Sequence, residues 1–248
     1  MTTARPATPL DAVLAIIPVR NEAATIAAVI EGLQRQGVGR IRVVDNGSSD
    51  ASAAIARHCG AEVLNEPVPG YGRACWRGLL DLPEPIGWIL FCDGDGSDDL
   101  GVLDQWAGLM GKADLILGNR MASPAGQRLL TPAQRFGNGL ATRLIQLGWG
   151  HRFADLGPLR LIRREALLAL RMHDRGFGWT IEMQVKAVEA GLRIQEQPVE
   201  LRRRAGGESK ISGTVAGSVG AGVGILTTLG GLYLRKLLRP QQPARRGA

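Results

Sequence analysis

Short apolar runs that end in polar or turn-forming residues alternate along this chain with stretches whose apolar positions recur every three or four residues. Val13-Leu14-Ala15-Ile16-Ile17, closed by Pro18, reads as a buried parallel strand, and Asn21 is placed to cap a helical pattern that runs to Gln36. Ile41-Arg42-Val43-Val44 gives a second strand ending in Asp45, with Ser49 or Asp50 capping a helix to about Cys59, and Glu62-Val63-Leu64 a third. After the turn-rich stretch from Pro67 to Gly72, the pattern predicts helix from Arg73 to Leu82, strand from Trp88 to Cys92, helix from Leu100 to Met110, and strand from Leu115 to Leu117. Alternation this regular predicts an α/β fold with a mostly parallel sheet.

The second half is less regular. A polar loop spans Ala122 to Thr131, a helical pattern runs from Pro132 to Trp149, and Gly157-Pro158 marks a turn. Thr180 to Ala190 predicts a helix and Arg193 to Val199 a late strand, followed by Arg202-Arg203-Arg204. From Ile211 to Leu234 no residue is charged, a length that reaches across a bilayer at about 1.5 Å per residue. Its seven glycines, each costing a helix in water about 1 kcal/mol against Ala, permit close packing and favour a membrane-seated or self-associating hairpin over an ordinary packed helix. The expected organisation is a flexible tail over residues 1–11, one domain over 12–210, the apolar helical segment over 211–238, and a basic tail over 239–248.

Composition narrows this picture. The chain has 248 residues, 45% of them apolar, enough for one full core. A formal charge of +7 suits nucleic acid, anionic lipid or a phosphorylated small molecule. No run interleaves Arg or Lys with aromatic residues, so no base-stacking surface and no nucleic-acid partner is expected. Cys59, Cys75 and Cys92 lack the spacing of a zinc site and read as reduced, buried residues. Met1 to Pro9 has no apolar core of a secretory signal, which predicts a cytoplasmic catalytic domain, at the cytoplasmic face of a membrane if the charge-free segment binds one.

Candidate chemistry follows from the strand ends, because an open parallel sheet binds ligands beyond the carboxyl edge of its strands. Pro18-Val19-Arg20-Asn21-Glu22 and Asp45-Asn46-Gly47-Ser48-Ser49-Asp50 put carboxylates and amides there, able to accept bonds from a base and a ribose. For Asn21 and Asp50 taken singly, helix capping is the plainer role. Asp93-Gly94-Asp95 follows a strongly apolar strand, and two carboxylates one glycine apart can converge on a hard divalent cation that also bridges a diphosphate.

Read together, these motifs resemble the family-two glycosyltransferases, most closely the branch that transfers sugars to polyprenyl phosphates such as dolichyl phosphate. The resemblance covers roughly residues 12 to 210. It rests on Pro18, Asn21 and Glu22; Asp45, Gly47, Ser48 and Asp50; Asp93 and Asp95; Gly70, Gly72 and Ala74; Gly118-Asn119-Arg120; and Arg204-Ala205-Gly206-Gly207-Glu208-Ser209-Lys210. It implies a GT-A, Rossmann-like three-layer α/β/α sandwich and an inverting transfer of a hexose from a UDP- or GDP-linked sugar to a lipid phosphate at a membrane surface. It also implies nucleotide binding by Asp45, the first-strand loop and Gly72, a ribose-phosphate contact or shared metal ligation for Asp93, and ligation of Mg²⁺ or Mn²⁺ by Asp95. Arg120, Arg135, Asn138, Arg204, Ser209 and Lys210 then become candidates to hold donor or acceptor phosphates, with Arg204 also a catalytic candidate. The chain departs from the branch at Gly157-Pro158-Leu159-Arg160 and in having no clear pair of downstream membrane helices.

A hydroxyl acceptor on a small molecule or glycan is the alternative, and it would need a proton acceptor, for which Glu182 or Asp155 is placed by pattern. A nucleotidyltransferase is disfavoured because Pro18 to Glu22 is not a glycine-rich basic loop. A dinucleotide-dependent oxidoreductase is disfavoured because Gly70-Tyr71-Gly72 lacks the third glycine and does not follow the first strand. A basic module that only binds membrane or nucleic acid has the charge excess alone in its favour.

Overall fold

In the computed structural model, which describes residues 8–203 and 215–238, the first apolar run forms β1 (Val13–Val19) at the interior of a seven-stranded sheet. The other strands are β2 (Arg40–Asp45), β3 (Glu62–Asn65), β4 (Trp88–Phe91), β5 (Leu115–Asn119), β6 (Arg160–Arg163) and β7 (Ile194–Pro198), in the order β3-β2-β1-β4-β6-β5-β7. All pairings are parallel except those of β6, which runs antiparallel between β4 and β5. The helices are α1 (Ile26–Gln36), α2 (Ser52–His58), α3 (Tyr71–Gly78), α4 (Leu103–Ala107), α5 (Pro124–Leu129), α6 (Pro132–Trp149), α7 (Arg164–Leu170), α8 (Trp179–Glu189) and α9 (Val215–Leu238).

The period of two in β1 sorts its side chains between two cores. Val13, Ala15, Ile17 and Val19 pack with Ile26, Val29, Ile30 and Leu33, the buried stripe of α1, and with Leu103 and Trp106 of α4. Leu14 and Ile16 face the other way, toward Ala74 and Cys75 of α3, Ile145 of α6, Trp179 and Met183 of α8, and Leu229 and Leu232 of α9. Helices therefore cover both faces, and the expected three-layer α/β/α sandwich with a mostly parallel sheet is what forms. Gly78 is where α3 lies closest to the sheet, because a Cβ there would run into the Ile16 side chain.

Several boundaries differ from the sequence expectation. Asn21 is not a helix cap: α1 begins five residues later, after Thr25, and Asn21 sits in a left-handed turn at φ 54°. The stretch expected to be helical from Leu100 to Met110 is a 3₁₀ turn at Leu100–Val102 followed by the short α4. Strand β6 and helix α7 were not expected at all. Four residues of β6 carry no readable period, and two of them are arginines, yet the strand is held by ladders on both sides. The apolar C-terminal segment contributes one continuous helix, α9, not a hairpin. It packs along α6 and α8, and among the described residues no helix is long and apolar enough to cross a membrane.

The β5 and β7 ends are tied by Asp114, whose carboxylate accepts from Arg193 Nε at 2.9 Å and Nη2 at 2.8 Å, with Arg163 Nε at 3.6 Å. The Arg193 hydrogen bonds hold the Asp114 carboxyl at about 2 against a usual 3.8. A depressed carboxylate stabilises the fold fully above its unfolded value and loses that contribution as pH falls through its folded value. Asp114→Asn is therefore expected to cost about 1 kcal/mol at neutral pH, an amount kept small by partial exposure. In thermal melts the gap between wild type and variant should narrow below about pH 4 and close only below about pH 2; a gap that persists near pH 1 would assign the loss to packing.

Candidate active site

Because β1, β2, β4, β5 and β7 share one direction, their carboxyl ends gather at a single edge of the sheet, and the start of the antiparallel β6 joins them there. The loops at that edge are stitched to one another before any ligand arrives. Ser48 Oγ accepts from the Asn21 N–H at 2.9 Å, Asn21 Oδ1 accepts from the Ser49 N–H at 2.6 Å, and Asp50 Oδ2 accepts from the Ala23 N–H at 3.1 Å. Ser52 Oγ accepts from the Glu22 N–H at 2.7 Å, and Asp45 Oδ1 accepts from the Ser48 N–H at 3.0 Å. The two loops thus form one rigid wall. Asn46 extends it, donating through Nδ2 to Glu66 O and Val68 O and accepting from the Gly70 N–H, all at 2.8 Å.

Asp93, Gly94 and Asp95 follow β4. A Cβ on Gly94 would stand 2.9 Å from Val19 Cγ2, so only glycine lets this loop press against the end of β1, and Thr25 Oγ1 clamps Gly94 O at 2.8 Å. Asp95 is 3% exposed, and its Oδ1 accepts from the Ser97 N–H at 2.8 Å. Asp98 is buried behind the loop and accepts from the Asp93 N–H at 2.8 Å. Burial, reinforced by the Asp95 charge, pushes the Asp98 carboxyl up to about 7, against the pull of the Asp93 N–H and the Arg120 charge. Asp93, Asp95 and Asp98 thus gather on the one loop after β4.

Two joined hollows meet at this loop, and Tyr71, Asp93, Asp95 and Phe177 line both. The first, of 320 Å³, is walled by Pro18, Arg20, Glu22, Asn46 and Gly70. The second, of 540 Å³, is walled by Arg120, Arg202 and Arg203 together with apolar Leu129, Leu130, Leu156, Pro158 and Ile225. Arg120 is fixed by Asp155, which accepts from its N–H at 2.9 Å, its Nε at 2.8 Å and its Nη2 at 2.9 Å. Burial alone would raise the Asp155 carboxyl, but the Arg120 hydrogen bonds and charge outweigh it and hold it low. Arg202 is pinned across the same loop, donating its N–H to Ser97 O at 3.0 Å and Nη2 to Asp99 Oδ1 at 2.8 Å.

The sequence-predicted residues divide accordingly. Pro18, Glu22, Asp93, Asp95 and Arg120 line the hollows, while Asn21, Asp45, Gly47 and Ser48 build the wall behind them. Gly72 packs against the backbone of Asp174 and Arg175, where a Cβ would collide, so its place is structural support for α3. Arg135 is exposed on α6 outside both hollows. Asn138 spans the 154–156 turn, donating to Ala154 O at 3.0 Å and accepting from the Leu156 N–H at 2.9 Å. Glu182 is not brought to the cleft: it is 1% exposed, pairs with Lys186 Nζ at 2.7 Å, and accepts from the His173 N–H at 3.0 Å and the Asp174 N–H at 2.7 Å. Its carboxylate holds the loop before α8 and lines neither hollow. Arg204, Ser209 and Lys210 lie outside the described residues.

Tyr71, Phe177, Asn46, Arg202 and Arg203 were missed as site residues. Arg202 and Arg203 had a signal in the basic run after the last strand; Tyr71 and Phe177 had none, since each reaches the cleft only through the docking of the 174–176 loop on α3, where Gly72 N–H donates to Gly176 O at 2.9 Å. Arg160, 1% exposed, donates to Thr180 O at 3.1 Å and to Gly157 O.

Comparison with known proteins agrees with this arrangement. The chain is 38% identical over 212 residues to an uncharacterised glycosyltransferase of Mycobacterium tuberculosis, covering 84% of this chain and 94% of that one. It is 28% identical over 211 residues to a dolichyl-phosphate hexose transferase of Haloferax volcanii, covering 84% and 90%. In fold it is similar to glucosyl-3-phosphoglycerate synthase of Mycobacterium tuberculosis, crystallised with Mn²⁺, uridine diphosphate and phosphoglyceric acid, at a TM-score of 0.71 and 20% identity over 97% of this chain and 87% of that one. With the glycosyl transferase family 2 model matching residues 14–171, the chain belongs to that family and is a glycosyltransferase of GT-A fold.

Proposed function

We propose that the enzyme moves a hexose, with inversion, from a UDP- or GDP-linked sugar to a polyprenyl-phosphate-type lipid. The observation that carries this reading is the make-up of the 540 Å³ hollow, in which three arginines share the walls with a set of apolar side chains. A lipid phosphate presents that pair of chemistries, an anionic head on an apolar chain. The smaller hollow, with Glu22 and Asn46 on the stitched loops, suits the nucleoside.

Asp93 and Asp95 fit a hard divalent cation: they are carboxylate oxygen donors one glycine apart, and both line the two hollows where these meet. Among the described residues no group of three or more His, Cys, Asp or Glu forms a cage, so two carboxylates are the protein's share, as suits Mg²⁺ or Mn²⁺ completed by diphosphate and water. When bound, the ion offsets the charge on the departing diphosphate. Arg120, Arg202 and Arg203 hold the acceptor phosphate. Its ionised oxygen forms the new bond to the anomeric carbon as the carbon–diphosphate bond breaks on the opposite face. No proton has to be removed, which agrees with Asp93 and Asp95 being the only carboxylates among the described residues that line this hollow.

A small anionic acceptor bearing a hydroxyl is the second reading, favoured by the likeness in fold to the phosphoglycerate enzyme. Incubation with membranes, Mn²⁺ and labelled sugar nucleotides, followed by lipid extraction, separates the two. Label is expected in the lipid phase, released by mild acid as a glycosyl phosphate is; label confined to the aqueous phase would overturn the lipid reading.

A further inference from the structure

Among the described residues thirteen large apolar side chains stand exposed, and eight of them lie on α6 and α9, which pack side by side. On α6 they are Phe136, Leu140 and Leu147, spaced four and seven residues apart and so on one stripe. On α9 they are Val223, Leu226, Leu234, Leu237 and Leu238, with Leu229 and Leu232 turned inward to the core. Neither helix contains Asp or Glu, while Arg135, Arg143, Arg235 and Lys236 are exposed along them. Beside the α6 stripe is a 440 Å³ groove lined by Thr142, Arg143, Gln146 and Arg152, with no carboxylate among its described lining residues.

The geometry points to the α6–α9 face as the surface by which the enzyme docks on an anionic bilayer. The charge decides between occupants. Glu189 of α8 accepts from Trp149 Nε1 at 2.9 Å at the edge of this face, which the four cations leave basic. A second copy of the chain would set two such basic faces against each other, whereas anionic headgroups neutralise the arginines while the apolar stripes enter the headgroup boundary. Continuity with the cleft supports the same occupant: Thr131 and Gln134 at the start of α6 and Ile225 of α9 line the 540 Å³ hollow, so the docked face borders the cleft. The exposed apolar stripes suit lying on a bilayer, and among the described residues no helix is long and apolar enough to cross one. This inference rests on the lipid-acceptor reading and names the face that reading requires.

The test is co-sedimentation of the full chain with phosphatidylcholine vesicles, with and without phosphatidylglycerol, alongside transfer to a short-chain, water-soluble polyprenyl phosphate. Binding is expected only with phosphatidylglycerol and should weaken as salt rises. Leu147→Ser with Leu234→Ser, and separately Arg143→Glu with Arg152→Glu, should each weaken it roughly tenfold or more, with transfer to the soluble acceptor unchanged. Soluble-acceptor transfer without vesicle binding overturns the docking face and leaves the lipid reading standing. Vesicle binding without any transfer to polyprenyl phosphate overturns the lipid reading and leaves the face. A dimer that the Leu147→Ser/Leu234→Ser variant disperses, with no vesicle binding, assigns the face to a second copy and overturns the proposal.

Discussion

Asp95→Asn is expected to lower metal-dependent sugar transfer by roughly 10²-fold or more while the fold stays intact. The substitution separates charge from structure. Asp95 accepts the Ser97 N–H through Oδ1, and an asparagine in the same rotamer keeps that bond, so the turn after β4 retains its shape. What is removed is one negative charge of the two carboxylates proposed to hold a divalent cation. Because Asp95 is 3% exposed, no solvent stands in for the missing charge. Rates measured across a Mn²⁺ titration should fall with an unchanged melting temperature in the absence of metal. A variant that keeps its metal dependence would move the cation site away from this loop. Gly94→Ala would act differently, displacing the loop from Val19 and affecting donor binding together with turnover.

Asp155→Ala should destabilise the protein by about 3–5 kcal/mol, because it strands the Arg120 guanidinium, most of whose hydrogen bonds end on that one carboxylate. Burial alone would lower the Arg120 pKa, and the Asp155 hydrogen bonds and charge, with the charges of Asp98 and Asp93, more than reverse this. The double variant Arg120→Met/Asp155→Leu removes both charges at once and should recover most of the lost stability in denaturant melts. It should not recover transfer, since Arg120 also walls the 540 Å³ hollow proposed to take the acceptor. Recovery of both properties would make the pair purely structural. The depressed Asp155 carboxyl also fixes a sign: its contribution is present above the unfolded carboxylate value and disappears as pH falls through the folded one, so the single variant's deficit should shrink in acid.

Much of the donor side was legible in the chain itself. Apolar runs of four or five residues ending in Pro18, Asp45 and Asp93 announce strands whose carboxyl ends carry chemistry, and parallel pairing brings such ends together whatever else the fold does. What period and spacing did not disclose is which polar residues line the hollows. Asn21 and Ser48 look like nucleotide contacts and instead bond to each other's loops, while Asn46, one residue from Asp45, lines the hollow. Glu182 has the residue type and the helical setting of a proton acceptor, but its direction around α8 turns it toward Lys186 and the 173–174 backbone.

The sequence by itself determined the layered α/β architecture, the order of the strand-end motifs and the adjacency of Asp93 and Asp95, because each depends on local period or on separations of a few residues. Only the tertiary structure decided that β6 runs backwards between β4 and β5, since a four-residue strand owes its existence to two neighbours and not to its own pattern. It also decided that Arg120, Arg202 and Arg203 share one wall with Ile225 of a distant helix. Those residues are far apart in the chain, and no periodicity carries information over such a distance; the packing of the helices over the sheet does.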